Sequence, residues 1–178
     1  MGKLGYQVTM DKTRLKIRFA FVSKGKYDVV KVIDYDYIGL LHGRKTFNLG
    51  FGDYDLFTEK IDDHANTHNG DVYDVLNTVL NTIPLFFEEY PKYCLMVRGS
   101  DSGQTFVEAC RENCKKKCDS HCKNQNRRIN VYTRYVNANY DNLVNDYTFY
   151  GGNEDNAEVF EPGKKYDAVF VVRKNLTL

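Results

Sequence analysis

The chain has 178 residues, of which 42% are hydrophobic and 28% are charged, and its formal net charge is +1 at pH 7. A chain of this length and composition can bury a core of its own, which excludes a small scaffold that depends on disulfides. The nearly balanced charge excludes a strongly basic protein whose overall charge would by itself attract a polyanion.

No apolar segment follows Met1, and no run approaches the roughly 18 apolar residues that a membrane-spanning helix needs. The sequence therefore predicts a cytoplasmic protein without a membrane segment. We expect a single domain over residues 1–178, because no repeat, low-complexity tract or linker composition divides the chain.

The first half of the chain predicts an antiparallel meander followed by a helix. Apolar and polar residues alternate over 15–22 and 47–51, and 15–22 forms a hairpin pattern with a second predicted strand over 27–37. Residues 53–70 lack a clear period, which predicts a long surface loop, with a short strand near Leu56. An apolar stripe at helical spacing then begins after Asp71, which can cap the helix, and Pro84 predicts a kink or two abutting pieces.

The second half predicts a buried strand over 93–97, helices over 104–122 and 129–145, and strands over 147–150 and 166–173. Together these elements predict the α+β class, with helices packed on an antiparallel sheet of about five to seven strands. We expect about three helices in all, the first starting at Asp71.

Positive charge is concentrated in one segment. Residues 111–128 contain seven Lys or Arg and two acids, a local charge of +5, so the rest of the chain sums to −4. Such a separation can steer a charged ligand even when the net charge is close to zero.

A glycine–serine turn follows the buried strand 93–97 and precedes a predicted helix. Free backbone N–H groups at such a point favour an anion, and arginine side chains can bind phosphate or carboxylate bidentately. The predicted anion-binding set is Arg98, Gly99, Ser100, Ser102, Arg127, Arg128, Tyr132 and Arg134. The simpler alternative is that Ser100 or Asp101 only caps a helix and that the arginines face solvent.

Four cysteines recur every four residues in the predicted helix 104–122: Cys110, Cys114, Cys118 and Cys122, with His121 beside the last. On one straight helix they form a single stripe that is too long for all four to reach one metal ion. Packing of small apolar side chains is the favoured interpretation. A metal site, for which zinc would be the ion, and a redox or disulfide role are the alternatives, and no cofactor is predicted.

Several segments resemble a family of small bacterial proteins of unknown function: Gly50–Asp53, 61–63, 69–79, 98–100, 127–132 and 162–170. In that family the glycine–serine turn is followed almost directly by an arginine-rich stretch that ends in Leu-Tyr. The resemblance therefore implies that residues 103–126, which carry the cysteines, are a helical insertion on a shared core. It implies nothing about catalysis.

These features predict a non-catalytic module that binds an anionic partner, either nucleic acid, a nucleotide or an acidic protein, through the basic segment 111–128 and the Ser100 turn. The alternative is a small toxin-like nuclease or another phosphate-handling enzyme, in which Arg98, Ser100, Arg128 and Tyr132 would hold the scissile phosphate. The sequence does not decide between a binding protein and an enzyme.

Overall fold

A computed structural model describes residues 5–62, 69–114, 116, 118, 121–152 and 156–174. Across these residues the chain forms three helices and nine strands, which confirms the predicted α+β class. The contacts divide the chain into two compact units, Met1–Tyr93 and Cys94–Leu178, which we call the N-terminal unit and the C-terminal unit. That both belong to a single domain stays a prediction.

The N-terminal unit contains an antiparallel sheet in which each strand pairs with the next along the chain. Its strands are β1 (Thr9–Lys12), β2 (Lys16–Lys24), β3 (Asp28–Leu41), β4 (Arg44–Asp55) and β5 (Lys60–Asp62). Ile17, Phe19 and Phe21 are buried on one face of β2, as their alternation predicts. The predicted meander is therefore confirmed.

The predicted surface loop 53–70 is partly wrong. Strand β4 continues through Asp55, and β5 returns antiparallel to it over Lys60–Asp62 instead of near Leu56. A strand of three residues shows no readable alternation, so its pairing has to come from the neighbouring strand. Residues 63–68 of the predicted loop lie outside the described residues.

Helix α1 (Val72–Glu89) contacts β2 and buries Val75, Val79, Phe86 and Phe87. The helix is continuous through Pro84, so the expected division into two pieces is wrong. Phe86 packs between the rings of Tyr35 and Phe47, and burial of this aromatic cluster outweighs the single backbone hydrogen bond that proline removes.

Asp71 occupies the N-cap position of α1, but its side chain makes no capping hydrogen bond. Its Oδ2 instead accepts hydrogen bonds from the Ser23 hydroxyl at 2.5 Å and the Tyr6 hydroxyl at 2.7 Å. The predicted capping role is therefore wrong, because two partners far away in sequence take the carboxylate. Burial opposes its ionisation, but the hydrogen bonds from Ser23 and Tyr6 outweigh this and hold the pKa of Asp71 below its usual value.

Asp34 in β3 forms the most highly connected ion pair described in the N-terminal unit. Its buried carboxylate accepts from Arg18 Nε at 2.7 Å, Arg18 Nη2 at 2.8 Å and Lys16 Nζ at 2.8 Å. Burial acts to raise the pKa of Asp34, but these donors outweigh it and lower the pKa below its usual value.

Asp34→Asn is expected to lower the free energy of unfolding by about 2 kcal/mol at pH 7. A lowered pKa in the folded state stabilises the fold above the carboxyl's unfolded pKa, and this stabilisation is lost as the pH falls through the folded-state pKa. Urea unfolding between pH 7 and pH 3 should therefore show the difference from wild type shrinking toward acid. The control is Asp36→Asn, which removes the exposed partner of Lys16 and should cost less than about 1 kcal/mol. Equal effects of the two variants would contradict the prediction.

The C-terminal unit contains a second set of antiparallel pairings, in the order β6–β9–β7–β8. Its elements are β6 (Cys94–Arg98), α2 (Gln104–Asn113), α3 (Arg127–Asp146), β7 (Tyr147–Gly152), β8 (Ala157–Val159) and β9 (Ala168–Arg173). The predicted buried strand, third helix and last two long strands are confirmed. Among the helices that the structure describes, none has the length and apolarity to cross a membrane.

The predicted helix over 104–122 is wrong in its second half. Helix α2 ends at Asn113, and Cys114 already has extended backbone angles, with φ −73° and ψ 108°. Cys118 and Cys122 are therefore not on the helix that carries Cys110, and the four cysteines do not form one straight stripe.

Candidate functional site

The glycine–serine turn lies where the sequence placed it, between β6 and α2. The backbone N–H of Ser102 donates to the Gly99 carbonyl at 3.2 Å, which closes the turn. A Cβ atom at Gly99 would lie 2.6 Å from Asp101 Oδ1 and 3.1 Å from the backbone nitrogen of Ile129. A larger residue at this position would therefore displace the Asp101 side chain and crowd the start of α3.

Asp101 caps the first turn of α3, not α2. Its buried carboxylate accepts a hydrogen bond from the backbone N–H of Arg128 at 3.1 Å, and its carbonyl accepts from Asn126 N–H at 3.0 Å. A negative charge at this point complements the positive end of the α3 dipole. The Asp101 carboxylate therefore accepts from an amide at the start of α3, so the turn is held against α3 by one of its own side chains.

Among the predicted anion-binding residues, the structure joins Arg128 to Ser100, with Arg128 Nη1 donating to Ser100 Oγ at 3.1 Å. The side chains of Arg98, Arg127 and Arg134 are exposed. Ser102 Oγ is buried, and it has no hydrogen-bond partner among the described residues. Convergence of all these residues on one anion stays a prediction.

Tyr132, the remaining member of the set, is buried in α3. Burial raises the pKa of its hydroxyl well above the usual value, although the nearby Arg128 acts in the opposite direction. The phenol is therefore protonated at neutral pH, and its role is in the core of the C-terminal unit.

A cavity of about 460 Å³ lies beside the start of α3. Carboxamide and charged side chains dominate its lining: Gln125, Asn126, Asn130, Glu158, Lys164, Lys165 and Asp167, with His121, Cys122 and Tyr166. Lys164 forms an ion pair with Glu158, which lowers the pKa of Glu158 and raises that of Lys164. The lining contains equal numbers of lysines and acids, so this cavity offers hydrogen bonds but little net charge.

A larger cavity, of about 630 Å³, lies in the N-terminal unit, and sequence reasoning missed it. We call it the aromatic–basic cavity; its lining is Lys12, Thr13, Arg14, Leu15, Tyr37, Lys45, Phe47, Tyr90 and Tyr93. Three cations and four aromatic rings line it, and none of its lining residues is acidic. Its volume falls within the range of small-molecule sites.

Three of the four rings of this cavity, Phe47, Tyr90 and Tyr93, stack on one another. Tyr90 and Tyr93 are stacked with centroids 4.8 Å apart, and Phe47 stacks on both, at 5.3 Å from Tyr90 and 5.9 Å from Tyr93. Phe47 is fully buried, whereas the tyrosines are only half-buried. The buried ring fixes the position of the two tyrosines, which present ring surface to the cavity.

Two of the three cations lie over rings of the same stack. Lys45 Nζ lies 5.5 Å from the ring centroid of Tyr93, and Lys12 Nζ lies 6.0 Å from that of Tyr90, which are cation–π distances. Lys12 also forms an ion pair with Glu89, which raises the pKa of Lys12. The side chain of Arg14 is exposed. A ligand that stacks on the tyrosines would therefore also lie close to positively charged side chains.

Strand pairing builds this cavity from distant parts of the chain. Tyr37 in β3 pairs with Phe47 in β4, and the N–H of Tyr37 donates to the Leu15 carbonyl at 2.9 Å. Tyr90 and Tyr93, close together in the chain, are the available sequence signal, but the pattern of the sequence places Tyr93 only in the buried strand 93–97 and does not indicate a cavity.

The four cysteines outside β6 are all half-buried free thiols, and Cys114, Cys118 and Cys122 lie between α2 and α3. Cys114 Sγ is 3.5 Å from Cys118 Sγ. Cys110 remains on α2, and His121 is exposed beside Cys122.

The fold and these cavities define an α+β protein with a basic, aromatic cavity in its N-terminal unit. The chain belongs to the family of unknown function DUF6934, whose model matches residues 3–107. No curated protein and no solved structure matches the chain.

This match confirms the predicted resemblance to a family of unknown function. It begins much earlier than the resembling segments and covers the complete aromatic–basic cavity and the glycine–serine turn. It ends within the predicted insertion 103–126. The resemblance of 127–132 and 162–170, the insertion itself and a bacterial origin stay predictions.

Proposed function

We propose that this protein is a non-catalytic module that binds single-stranded nucleic acid, with one nucleotide held in the aromatic–basic cavity. The observation that carries the proposal is the combination of four aromatic rings with three cations in a cavity lined by no acidic residue. Proteins that bind single strands combine a positive groove for the phosphates with aromatic side chains on which bases stack.

The arrangement of the lining supports a nucleotide as ligand. Tyr93 and Tyr37 are half-buried and offer ring faces to a base, while Arg14 and Lys45 are exposed and can reach a phosphate. A single strand suits this cavity better than a duplex, because the bases of a duplex are already stacked and paired. Stacking requires no particular base, so we expect weak sequence preference.

The basic segment 111–128 and the Ser100 turn, taken by themselves in the C-terminal unit, are proposed to contact phosphates of a nucleic acid as well. Arg98, Arg127 and Arg134 have exposed side chains, and Arg128 donates to Ser100. Contacts of this kind add affinity that depends steeply on salt and carry no sequence information.

Fluorescence anisotropy with labelled single strands of deoxythymidylate and uridylate, compared with a duplex of equal length, tests the proposal. Tyr93→Leu should weaken binding of the single strands by about 5- to 100-fold, because it removes one stacking surface. Arg14→Ala and Lys45→Ala should each reduce the slope of log K against log salt by about 0.7, as expected for one lost phosphate contact to a single strand. Arg127→Ala measures the contribution of the C-terminal unit in the same way.

The chain offers matched controls for each change. Tyr73→Leu alters a tyrosine that is 78% exposed on α1, and Lys60→Ala removes an exposed lysine on β5; neither residue lines the cavity. Both variants should bind like wild type. Loss of affinity that is equal in cavity and control variants, or no measurable binding by wild type at low salt, would refute the proposal.

The same mixtures test the alternative of a small nuclease. Tyr132 is buried, so its hydroxyl is poorly placed to contact a scissile phosphate, and binding without cleavage is therefore preferred. Shortening of the labelled strand that stops in Arg128→Ala would support the nuclease instead.

A further inference from the structure

The end of α2 at Asn113 brings together thiols that a continuous helix would hold apart. Cys114 Sγ lies 3.5 Å from Cys118 Sγ. The thiol of Cys110 lies close enough to interact with the thiols of both Cys114 and Cys122. Neighbouring contacts thus connect all members of the thiol cluster, which comprises Cys110, Cys114, Cys118 and Cys122.

Nitrogen donors surround the sulfur atoms of this cluster. The backbone N–H of Lys123 donates to Cys118 Sγ at 3.3 Å, and Asn124 Nδ2 donates to Cys110 Sγ at 3.3 Å. Amide groups directed at two of the sulfurs are compatible with a metal site, in which bound sulfur atoms accept hydrogen bonds from such groups.

Packing alone explains these cysteines less well than it explains Cys94. The side chain of Cys94 is buried in β6, as expected of cysteine used as a small apolar residue. The cluster cysteines are only half-buried and lie outside the strands, with their sulfur atoms facing one another. Their mutual contacts, and not contacts with a core, distinguish them.

We propose that Cys110, Cys114, Cys118 and Cys122 bind one Zn²⁺ ion as a four-thiolate structural site. Zn–S bonds of about 2.3 Å in a tetrahedron place neighbouring sulfurs about 3.8 Å apart, close to the distance between Cys114 and Cys118. Among the described residues no three candidate ligands are arranged to hold a metal ion. Binding of the ion would therefore have to bring the sulfurs closer together, which would couple metal binding to local folding.

Zinc fits this ligand set because thiolates are soft ligands that bind it in tetrahedral geometry. Zn²⁺ does not change its oxidation state, so the site needs no electron donor or acceptor. On binding, each thiol releases its proton to solvent and the sulfur forms a Zn–S bond. The site would cross-link the connection between α2 and α3. This role is independent of nucleic-acid binding in the N-terminal unit.

The test is the metal content of the full-length protein, purified with a reducing agent and without chelator. Elemental analysis should find about one zinc per chain. Cys110→Ser and Cys118→Ser should lose it, whereas Cys94→Ala should retain it. Replacement of zinc by Co²⁺ should give the intense visible absorption of a tetrahedral tetrathiolate complex, and this readout does not require the serine variants to be stable.

His121→Ala separates four-thiolate binding from a site that uses the neighbouring imidazole, and the proposal expects its zinc content to be unchanged. Loss of zinc from His121→Ala would overturn the assignment of ligands. Wild-type protein without zinc that also gives no cobalt spectrum, or a disulfide between Cys114 and Cys118 in freshly purified protein, would overturn the site itself.

Discussion

Phe86→Ala is expected to lower the free energy of unfolding of the N-terminal unit by about 3–5 kcal/mol, the usual cost of removing a buried phenyl ring. Phe86 has no exposed surface and is stacked on Tyr35 at 4.9 Å. Its ring also contacts Phe47, Phe87 and Tyr90 edge-on, at 5.1–5.6 Å. Truncation leaves a cavity that these rigid rings cannot readily fill.

Urea unfolding followed by far-UV circular dichroism measures this effect. The control is Leu85→Ala on the same helix, where the side chain is 36% exposed and removal should cost about 1 kcal/mol or less. Because Phe47 and Tyr90 also line the aromatic–basic cavity, Phe86→Ala should in addition weaken any ligand bound there. Similar losses of stability in the two variants would contradict the central position of Phe86 in the aromatic core.

Gly151→Ala is expected to destabilise the C-terminal unit by about 1–3 kcal/mol, because an added methyl group has no room. A Cβ atom at Gly151 would lie 2.4 Å from two carbons of the Tyr166 ring. The ring cannot retreat easily, since Tyr166 is buried against Phe160 at 5.2 Å and its hydroxyl oxygen accepts a hydrogen bond from Glu161 N–H at 3.0 Å.

The matched control for this clash is Gly50→Ala, another glycine within a strand. A Cβ atom at Gly50 would meet nothing within 4 Å, so the change should stay within about 0.5 kcal/mol. The midpoints of thermal and urea unfolding should therefore be clearly lower for Gly151→Ala than for Gly50→Ala. If Gly151→Ala is as stable as Gly50→Ala, the close packing of Tyr166 over β7 is not present in solution.

Regular alternation and helical periodicity predicted the long elements well. The hairpin of β2 and β3, the stripe of α1 and the whole of α3 were all readable, because each extends far enough to show its period. The short strands β1, β5 and β8 were not, because three or four residues carry no readable period. Helix α2 was extended too far because the four-residue spacing of the cysteines imitates a helical stripe.

Side-chain partners were predicted less well than elements. Asp71 was expected to cap α1 and instead binds Ser23 and Tyr6, while Asp101 reaches past α2 to cap α3. In both cases the chemistry of the residue was correctly identified as that of a carboxylate acceptor. Which donor binds each carboxylate depends on which segments of the folded chain approach it. The local sequence does not specify those segments.

The sequence by itself determined the α+β class, the positions of the long strands and helices, and the presence of arginines and clustered cysteines. Only the tertiary structure decided that residues near positions 12–15, 37, 45–47 and 90–93 line one cavity and that thiols from either side of a helix end come together. The physical reason is that periodicity is a property of one segment, whereas a cavity depends on strand register and packing between segments. The pairing of Tyr37 with Phe47 is set by the register of β3 and β4, which the pattern of either strand alone leaves open.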